Sequence, residues 1–398
     1  MRSRLFHLAS DDEIKRGETT DVYFTRTEEI LKTKNLYDVP VVAEVTVTKL
    51  PRGWTWGVLC GVEEEAQLFE GVPVNVDMMP EGTVFYTKDY HGFRTPVMRL
   101  EGPYGAFCRL ETPLLGLICH GSAIATAAAH VKKVAGKKLV INFGARRVHP
   151  GLAPFLGRAA YIGGLDGVSN ITAAKLLGVK PTGTMPHSLI ILFGEQRKAW
   201  EAFDELMPKD VPRIALVDTY FDEKAEAVMA AEHLKGRLWG VRLDTPGSRK
   251  GDFAEIIKEV RWELNVRGYQ NVKIFVSGGL DEDAVRELGK AGADGFGVGT
   301  WISSAPVIDF AMDIVEMRGK AVAKRGKLGG NKQVWRCGRC LIDVLVPQGE
   351  KPPTCPSCGF ETAPMLRPLI RNGKIVGELP RPKKVRSYVL DQLKRLSV

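Results

Sequence analysis

The chain contains no uninterrupted run of about 18 uncharged apolar residues, the length a helix needs to cross a bilayer, so a membrane span is not expected. Its first residues, MRSRLFHLASDDEIKRG, hold too short an apolar stretch for a secretory signal. A cytoplasmic location is the expectation. Cysteine is scarce and odd in number, seven in 398 residues, with four of them clustered. Such a set excludes a secreted disulfide framework. Low-complexity tracts are absent, and no internal repeat is visible beyond an alternation of strand-like and helix-like stretches. Acidic residues (47) fall short of basic ones (56), a balance that suits anionic ligands, from phosphorylated metabolites to nucleic acids. Much of the excess sits in Arg381-Pro382-Lys383-Lys384-Val385-Arg386, where a solvated basic surface is the simpler reading. Hydrophobic content of 44% and charged content of 26% are ordinary for a globular chain, and the length implies two or three domains.

What the chain does have is six apolar runs that each end in a small polar or glycine-rich cluster. They are LVINFG-Ala145-Arg146-Arg147, Gly183-Thr184-Met185-Pro186-His187-Ser188, ALV-Asp218-Thr219, GV-Arg242-Leu243-Asp244-Thr245, IFV-Ser277-Gly278-Gly279 and GFGV-Gly299-Thr300. Helix-like stretches separate them. Apolar runs bounded by turn signals and alternating with amphipathic helices mark buried parallel strands of βα units. Functional groups gather where such strands end. Two of the helices are well delimited, one starting at Asp222 and ending at Gly236, the other starting at Asp281. Six units rather than eight point to an irregular α/β barrel.

Residues 1–113 mix strands (VVAEVTVTKL, GVLCGV, TPVMRLEG) with turns and read as an α+β sandwich. Leu114 to Val134, rich in alanine, is expected to be a helix bridging into the next domain. Residues 114–335 are grouped as bridging helix and α/β barrel, 336–362 as a cysteine module, and 363–398 as a segment packing back on the first domain. The module contains Cys337-Gly338-Arg339-Cys340 and Cys355-Pro356-Ser357-Cys358, two CxxC pairs fourteen residues apart. Two such turns facing each other give the four-sulfur cage that zinc prefers, closed and therefore structural. Cys60, Cys108 and Cys119 belong to no motif and are expected to be packing residues.

At the strand ends, Ser277-Gly278-Gly279 precedes an acidic-capped helix, and Gly297-Val298-Gly299-Thr300 closes the next strand. Glycines let backbone N–H groups approach an anion, so the two clusters together form a candidate phosphate cradle. Asp218 and Asp244 end consecutive strands, and side-by-side carboxylates suit ribose hydroxyls or a magnesium ion carried by a diphosphate. Two helix N-caps are the plainer alternative. Arg146, Arg147 and Arg242 suit a bidentate grip on carboxylate or phosphate. His187 is placed at the start of a strand in GTMPHSLIILF. A core histidine is the plain reading, but the segment is too polar for simple packing.

These residues resemble the nicotinate phosphoribosyltransferase family, in the archaeal-type form that ends in a four-cysteine zinc module. The resemblance rests on FGARRVHP (143–150), RAAYIGGLDGVSN (158–170), GTMPHS (183–188), VRLDT (241–245), SGG and GVGT. It extends to GETTDVYF near the start, MPEGTVFY, LEGPYGAFCRLETPLLG and GSAIATAAAHV. It implies an N-terminal open-faced sandwich followed by an irregular, about six-stranded α/β barrel, with active sites shared across a homodimer or higher homo-oligomer. The implied reaction joins nicotinate to 5-phosphoribosyl 1-diphosphate, giving nicotinate mononucleotide and diphosphate for NAD synthesis, in many members coupled to ATP through a phosphorylated histidine. By the resemblance, Tyr23 stacks on the pyridine ring, from the neighbouring subunit. Arg146, Thr184, His187, Ser188 and Arg242 surround nicotinate, and His187 matches the phosphorylatable histidine. Ser277, Gly278, Gly279, Gly297, Gly299 and Thr300 bind the 5-phosphate, while Asp218 and Asp244 face the ribose or magnesium. Lys137, Lys138, Arg249 and Lys250 are candidates for the diphosphate, or an ordinary charged loop.

Three rivals are weighed. Nicotinamide phosphoribosyltransferase would want a carboxylate near the ring, and Thr182 to Leu189 holds none. Quinolinate phosphoribosyltransferase must hold two carboxylates, and the zinc tail with FGARR and GTMPHS speaks against it. A zinc-ribbon protein binding nucleic acid is the distant alternative, weakened by the lack of interleaved aromatics in the module.

Overall fold

The run PVVAEVTV, dense in β-branched residues, forms the strand Pro40–Val47 within a seven-stranded antiparallel sheet. This computed structural model describes residues 5–396. Pro40–Val47 pairs on one side with Phe310–Met317 and on the other with Pro96–Pro103, and the sheet continues through Asn75–Met78 to Arg367–Arg371. One compact unit therefore takes the chain up to Thr126 and again from Pro306, while the other takes Ala127–Ala305. Residues 306–335, grouped by sequence with the βα alternation, supply a strand to this antiparallel sheet instead. Their apolar residues pair across to Val41–Val47 rather than to a parallel neighbour.

The C-terminal helix Pro382–Leu393 packs within the same unit. Gln392 donates its amide to the Gly82 carbonyl and accepts from the Val84 N–H, both at 2.9 Å. The cysteine module is a three-stranded sheet of Lys332–Cys337, Asp343–Pro347 and Thr362–Pro364. Buried Arg336 forms a two-pronged ion pair with Asp343, 2.7 Å on each side, and donates to the Val84 carbonyl at 2.6 Å. The Leu345 N–H reaches Asp89 at 2.9 Å. The module thus leans on the first unit's strands rather than on a core of its own.

Its four thiols converge. Sulfur separations are 3.5 Å for Cys337–Cys358, 3.5 Å for Cys340–Cys355 and 3.9 Å for Cys340–Cys358. A tetrahedral ion with metal–sulfur bonds of about 2.3 Å needs sulfurs about 3.8 Å apart, so the cage fits. Cys60 and Cys108 are buried and Cys119 partly so.

The bridging helix runs Glu111–Ala135. Contrary to expectation, the helical stretch Tyr104–Ala135 holds a window long and apolar enough to cross a membrane, with mean hydropathy 1.5. That window is 67% buried inside the protein. Alanine, serine and threonine keep it free of charge while packing closely. Ser122 and Thr126 hydroxyls accept from the Cys60 and Val58 N–H groups at 3.0 and 2.9 Å.

The second unit is a six-stranded parallel sheet in the order Gly167–Val168, Leu139–Asn142, Gly295–Val298, Lys273–Ser277, Gly240–Leu243, Ile214–Leu216. No ladder joins the two outer strands among the described residues. Five of the six runs read from sequence are these strands. The exception is GTMPHSLIILF, where His187–Phe193 is a helix and the sixth strand is the two-residue Gly167–Val168. Short apolar runs do not distinguish helix from strand, and two residues leave no periodic signal. Asp222 and Asp281 cap their helices by accepting the Ala225 and Ala284 N–H groups at 2.9 and 2.8 Å. The first of these helices stops at Leu234, where Lys235 takes a positive φ of 51°, ahead of the expected Gly236.

The sulfur geometry predicts one metal ion per chain, zinc by its preference for four thiolates. Elemental analysis should find one zinc in the wild type and none in a Cys337→Ser, Cys355→Ser double variant. That variant should melt about 5 °C or more lower. Equal melting temperatures would contradict a structural role.

Candidate functional site

The carboxyl ends of the parallel strands enclose a cavity of about 610 Å³ lined by residues from Phe143 to Thr300. Parallel strands all point their C-termini to one side, so residues far apart in sequence meet there. Arg146, Thr184, His187, Ser188, Arg242, Asp244, Ser277, Gly278, Gly279, Gly297, Gly299 and Thr300 all line it.

Arg242, the third residue of Gly240–Leu243, organises the floor. Its Nε donates to Ser277 Oγ at 3.0 Å, Nη1 to Thr184 Oγ1 at 2.8 Å and the Met185 carbonyl at 3.3 Å, and Nη2 to Asp244 at 2.8 Å. The guanidinium lies 5.4 Å from the Phe143 ring centre. Four of its five N–H groups are thus engaged, leaving one for a ligand. The expected bidentate grip by Arg242 is not available in this arrangement. Arg146 and Arg147, in the turn Ala145–Arg147, are exposed, and no side-chain partner engages them among the described residues. Ser277 also differs from a phosphate donor, since its hydroxyl donates to Asp244 at 2.6 Å and its side chain is buried.

Asp218 lies behind the lining rather than in it. One oxygen accepts the Asp244 N–H at 2.6 Å, while the other is buried without a hydrogen-bond partner. Burial pushes its carboxyl up to about 6, against the lowering pull of the Asp244 N–H and nearby His187. His187 opens its helix beside both acids. Its Nε2 is 3.7 Å from Asp218 and 3.8 Å from Asp244, and its Nδ1 is 3.0 Å from Thr219 Oγ1.

The glycine clusters form open backbone. Gly278 and Gly279 have φ of 92° and 70°, where a side chain is strained, and stand exposed before the helix Glu282–Ala291. At Gly297 an added Cβ would fall 2.3 Å from the Phe143 ring, so only glycine lets that ring pack. Lys250 donates to the Gly278 carbonyl, and partial burial lowers its pKa. Lys137 and Lys138 precede the strand Leu139–Asn142 and so lie at the opposite end of the sheet, where Lys138 bonds the Ala293 carbonyl at 2.5 Å. Arg249 is exposed and does not line the cavity. Tyr23 lies in the other compact unit, on the helix Val22–Thr33, and is 54% exposed. Phe143, Ser169 and Thr219 fell inside motifs quoted from the sequence but were given no role there. Phe143 sits inside an apolar run, Ser169 follows a two-residue strand, and Thr219 lay beside the more conspicuous Asp218.

Two family models match in succession, the N-terminal domain of quinolinate phosphoribosyl transferase over residues 21–122 and its C-terminal domain over residues 124–313. A structure described as nicotinate-nucleotide pyrophosphorylase from Pyrococcus furiosus is 53% identical, with a TM-score of 0.95 over 100% of both chains. The chain belongs to the quinolinate phosphoribosyltransferase family. Among the family's curated proteins, it is 34% identical over 316 residues to nicotinate phosphoribosyltransferase pncB2 of Mycobacterium tuberculosis, covering 74% of this chain and 63% of that protein. To pncB1 of the same organism it is 29% identical over 383 residues, 85% and 82% of the two chains. The chain thus spans less than two thirds of the length of the first of these relatives. Human nicotinic acid phosphoribosyltransferase shares the fold, with a TM-score of 0.72 at 20% identity over 95% of this chain and 94% of that one. All residues lining the cavity fall within the C-terminal-domain match of this family.

In the ligand-free protein Asp218 holds its proton more tightly than an ordinary aspartate of 3.8. Its contribution to stability is then full below that value and is lost as pH rises through about 6. Urea denaturation from about pH 4 to about pH 7 should show the wild type losing about 2 kcal/mol relative to Asp218→Asn. Parallel curves would show that Asp218 ionises without cost.

Proposed function

We propose that this chain is a nicotinate phosphoribosyltransferase, of the form that carries a structural zinc centre near its C-terminus. The observation that carries the reading is that one cavity is lined both by Gly278–Gly279 and Gly299–Thr300 and by Arg146, Thr184 and Arg242. The exposed amides would seat the 5-phosphate of 5-phosphoribosyl 1-diphosphate. Arg146 and Arg147, aided by Thr184, Ser188 and the spare N–H of Arg242, would draw the nicotinate carboxylate. Tyr23 of a second copy would stack on the ring, making the active form a homodimer or higher oligomer.

In the reaction the bond from the ribose anomeric carbon to diphosphate breaks as the pyridine nitrogen supplies the electron pair for the new bond. No proton needs to move, so positioning and charge complementarity carry the rate. Asp244, on the cavity wall, would face the positive charge growing on the ribose. The Asp218 oxygen that accepts no hydrogen bond among the described residues lies 3.7 Å from His187 Nε2, and with Asp244 this carboxylate would hold magnesium. When bound, magnesium would neutralise charge on the departing diphosphate. His187, flanked by both carboxylates, would accept a phosphoryl group from ATP. An enzyme of soluble metabolites is expected in the cytoplasm.

Three arginines around one cavity favour a second reading, quinolinate as substrate, because that molecule carries two carboxylates. Nicotinamide is disfavoured because the lining acid, Asp244, is already paired with Arg242. Purified protein should be given 5-phosphoribosyl 1-diphosphate and magnesium with nicotinate, nicotinamide or quinolinate, with and without ATP. Nicotinate should be consumed, faster with ATP, and Arg242→Ala should lower kcat/KM about 100-fold. Release of carbon dioxide from quinolinate would replace the reading, and no turnover with any acid would remove it.

A further inference from the structure

The loop that follows the strand Ile214–Leu216 presents Tyr220 and Phe221 to solvent, 46% and 61% exposed. An exposed loop with aromatic tips has little packing to fix it, yet its Thr219 must hold the His187 ring. One buried group supplies the fixing. Glu226, on the helix Glu223–Leu234, is fully buried. It accepts the N–H groups of Tyr220 and Phe221 at 2.8 Å each and that of Thr219 at 3.2 Å. A fourth donor, the Gln196 side-chain amide, completes the shell at 2.8 Å. Among the described residues four donors and no cation surround it, an arrangement suited to a carboxylate and to no neutral acceptor of the same shape.

We infer that Glu226 is a positioning residue for the reaction: by gathering three consecutive loop amides it fixes Thr219, and through the Thr219 hydroxyl it sets the rotation of His187. The chain of contact is continuous and short, from Glu226 Oε2 to the Thr219 N–H, and from Thr219 Oγ1 to His187 Nδ1 at 3.0 Å. Asp218, one residue earlier, is held separately by the Asp244 N–H, so loss of Glu226 frees the imidazole without freeing the acid. Glu226→Gln puts an NH₂ group against backbone donors and breaks the cage at constant size. Thr219→Val removes only the last link.

The inference rests on His187 taking part in turnover, and the test separates the two. Full-length protein labelled with ¹⁵N-histidine would be compared as wild type, Glu226→Gln, Thr219→Val and Leu288→Ala. The last of these empties a buried site on the helix Glu282–Ala291 and controls for stability loss alone. The His187 Nδ1 resonance, assigned by its loss in His187→Asn, should move in the same direction in Glu226→Gln and Thr219→Val and stay in place in Leu288→Ala. ATP-stimulated kcat should fall about tenfold in the first two, with KM for nicotinate within about twofold. A wild-type resonance and kcat in Glu226→Gln, or the same shift in Leu288→Ala, would overturn the inference. If Glu226→Gln does not fold, Glu226→Asp, which withdraws the charge by one methylene, is read in the same way. Wild-type turnover indifferent to ATP would remove the phosphoryl role of His187, while the resonance comparison would still decide the positioning.

Discussion

Arg242 is the constraint on which the second unit's cavity depends. Its side chain ties together the segment Thr184–Met185, the end of the neighbouring strand at Ser277 and the following Asp244. A guanidinium can do this because its five donors are fixed in a plane, so each partner's position limits the others. Asp244 is in turn braced by Ser277 from one side and, through its own N–H, by Asp218 from the other. The result is a charge-compensated floor backed by an Asp218 oxygen that accepts no hydrogen bond among the described residues. Arg146 and Arg147, which also line this cavity, are exposed.

Electrostatics and backbone divide the work of such a site. The glycine segments offer amides with no side chain to be moved, so they suit the constant part of a ligand, a phosphate. The arginine and threonine side chains suit the part that distinguishes one aromatic acid from another. Belonging to the quinolinate phosphoribosyltransferase family fits this division without choosing the acid. Within the first unit, the sheet draws strands from both the N-terminal and the C-terminal parts of the chain, and the cysteine module is anchored through Arg336 to the Val84 carbonyl. A four-sulfur cage and a buried ion pair there replace the apolar core that so small a ribbon cannot build.

Much of this was legible in the residues. Apolar runs ending in Asp218, Arg242, Ser277 and Gly299 are strands because a buried parallel strand tolerates little else, and their polar ends converge because the strands are parallel. The CxxC spacing carried the thiol cage in the same way. Other features were not legible. The helix at His187 was read as a strand because SLIILF is too short to show a period. Phe310–Met317 was grouped with the βα alternation because pairing partners so distant in the chain, Val41–Val47, leave no local mark. The inward turn of Ser277 and the near-saturation of Arg242 are side-chain choices that depend on neighbours brought in by the fold. Glu226 offered no motif at all, since its task is defined by three amides that only the folded loop presents.

The most direct measurement is a crystal structure with nicotinate mononucleotide bound. The account predicts the 5-phosphate on the amides of Gly278, Gly279 and Gly299, and the ring carboxylate within hydrogen-bond reach of Arg146, Arg147 or the spare N–H of Arg242. A nucleotide seated with its phosphate on the arginines, or outside this cavity altogether, would contradict it.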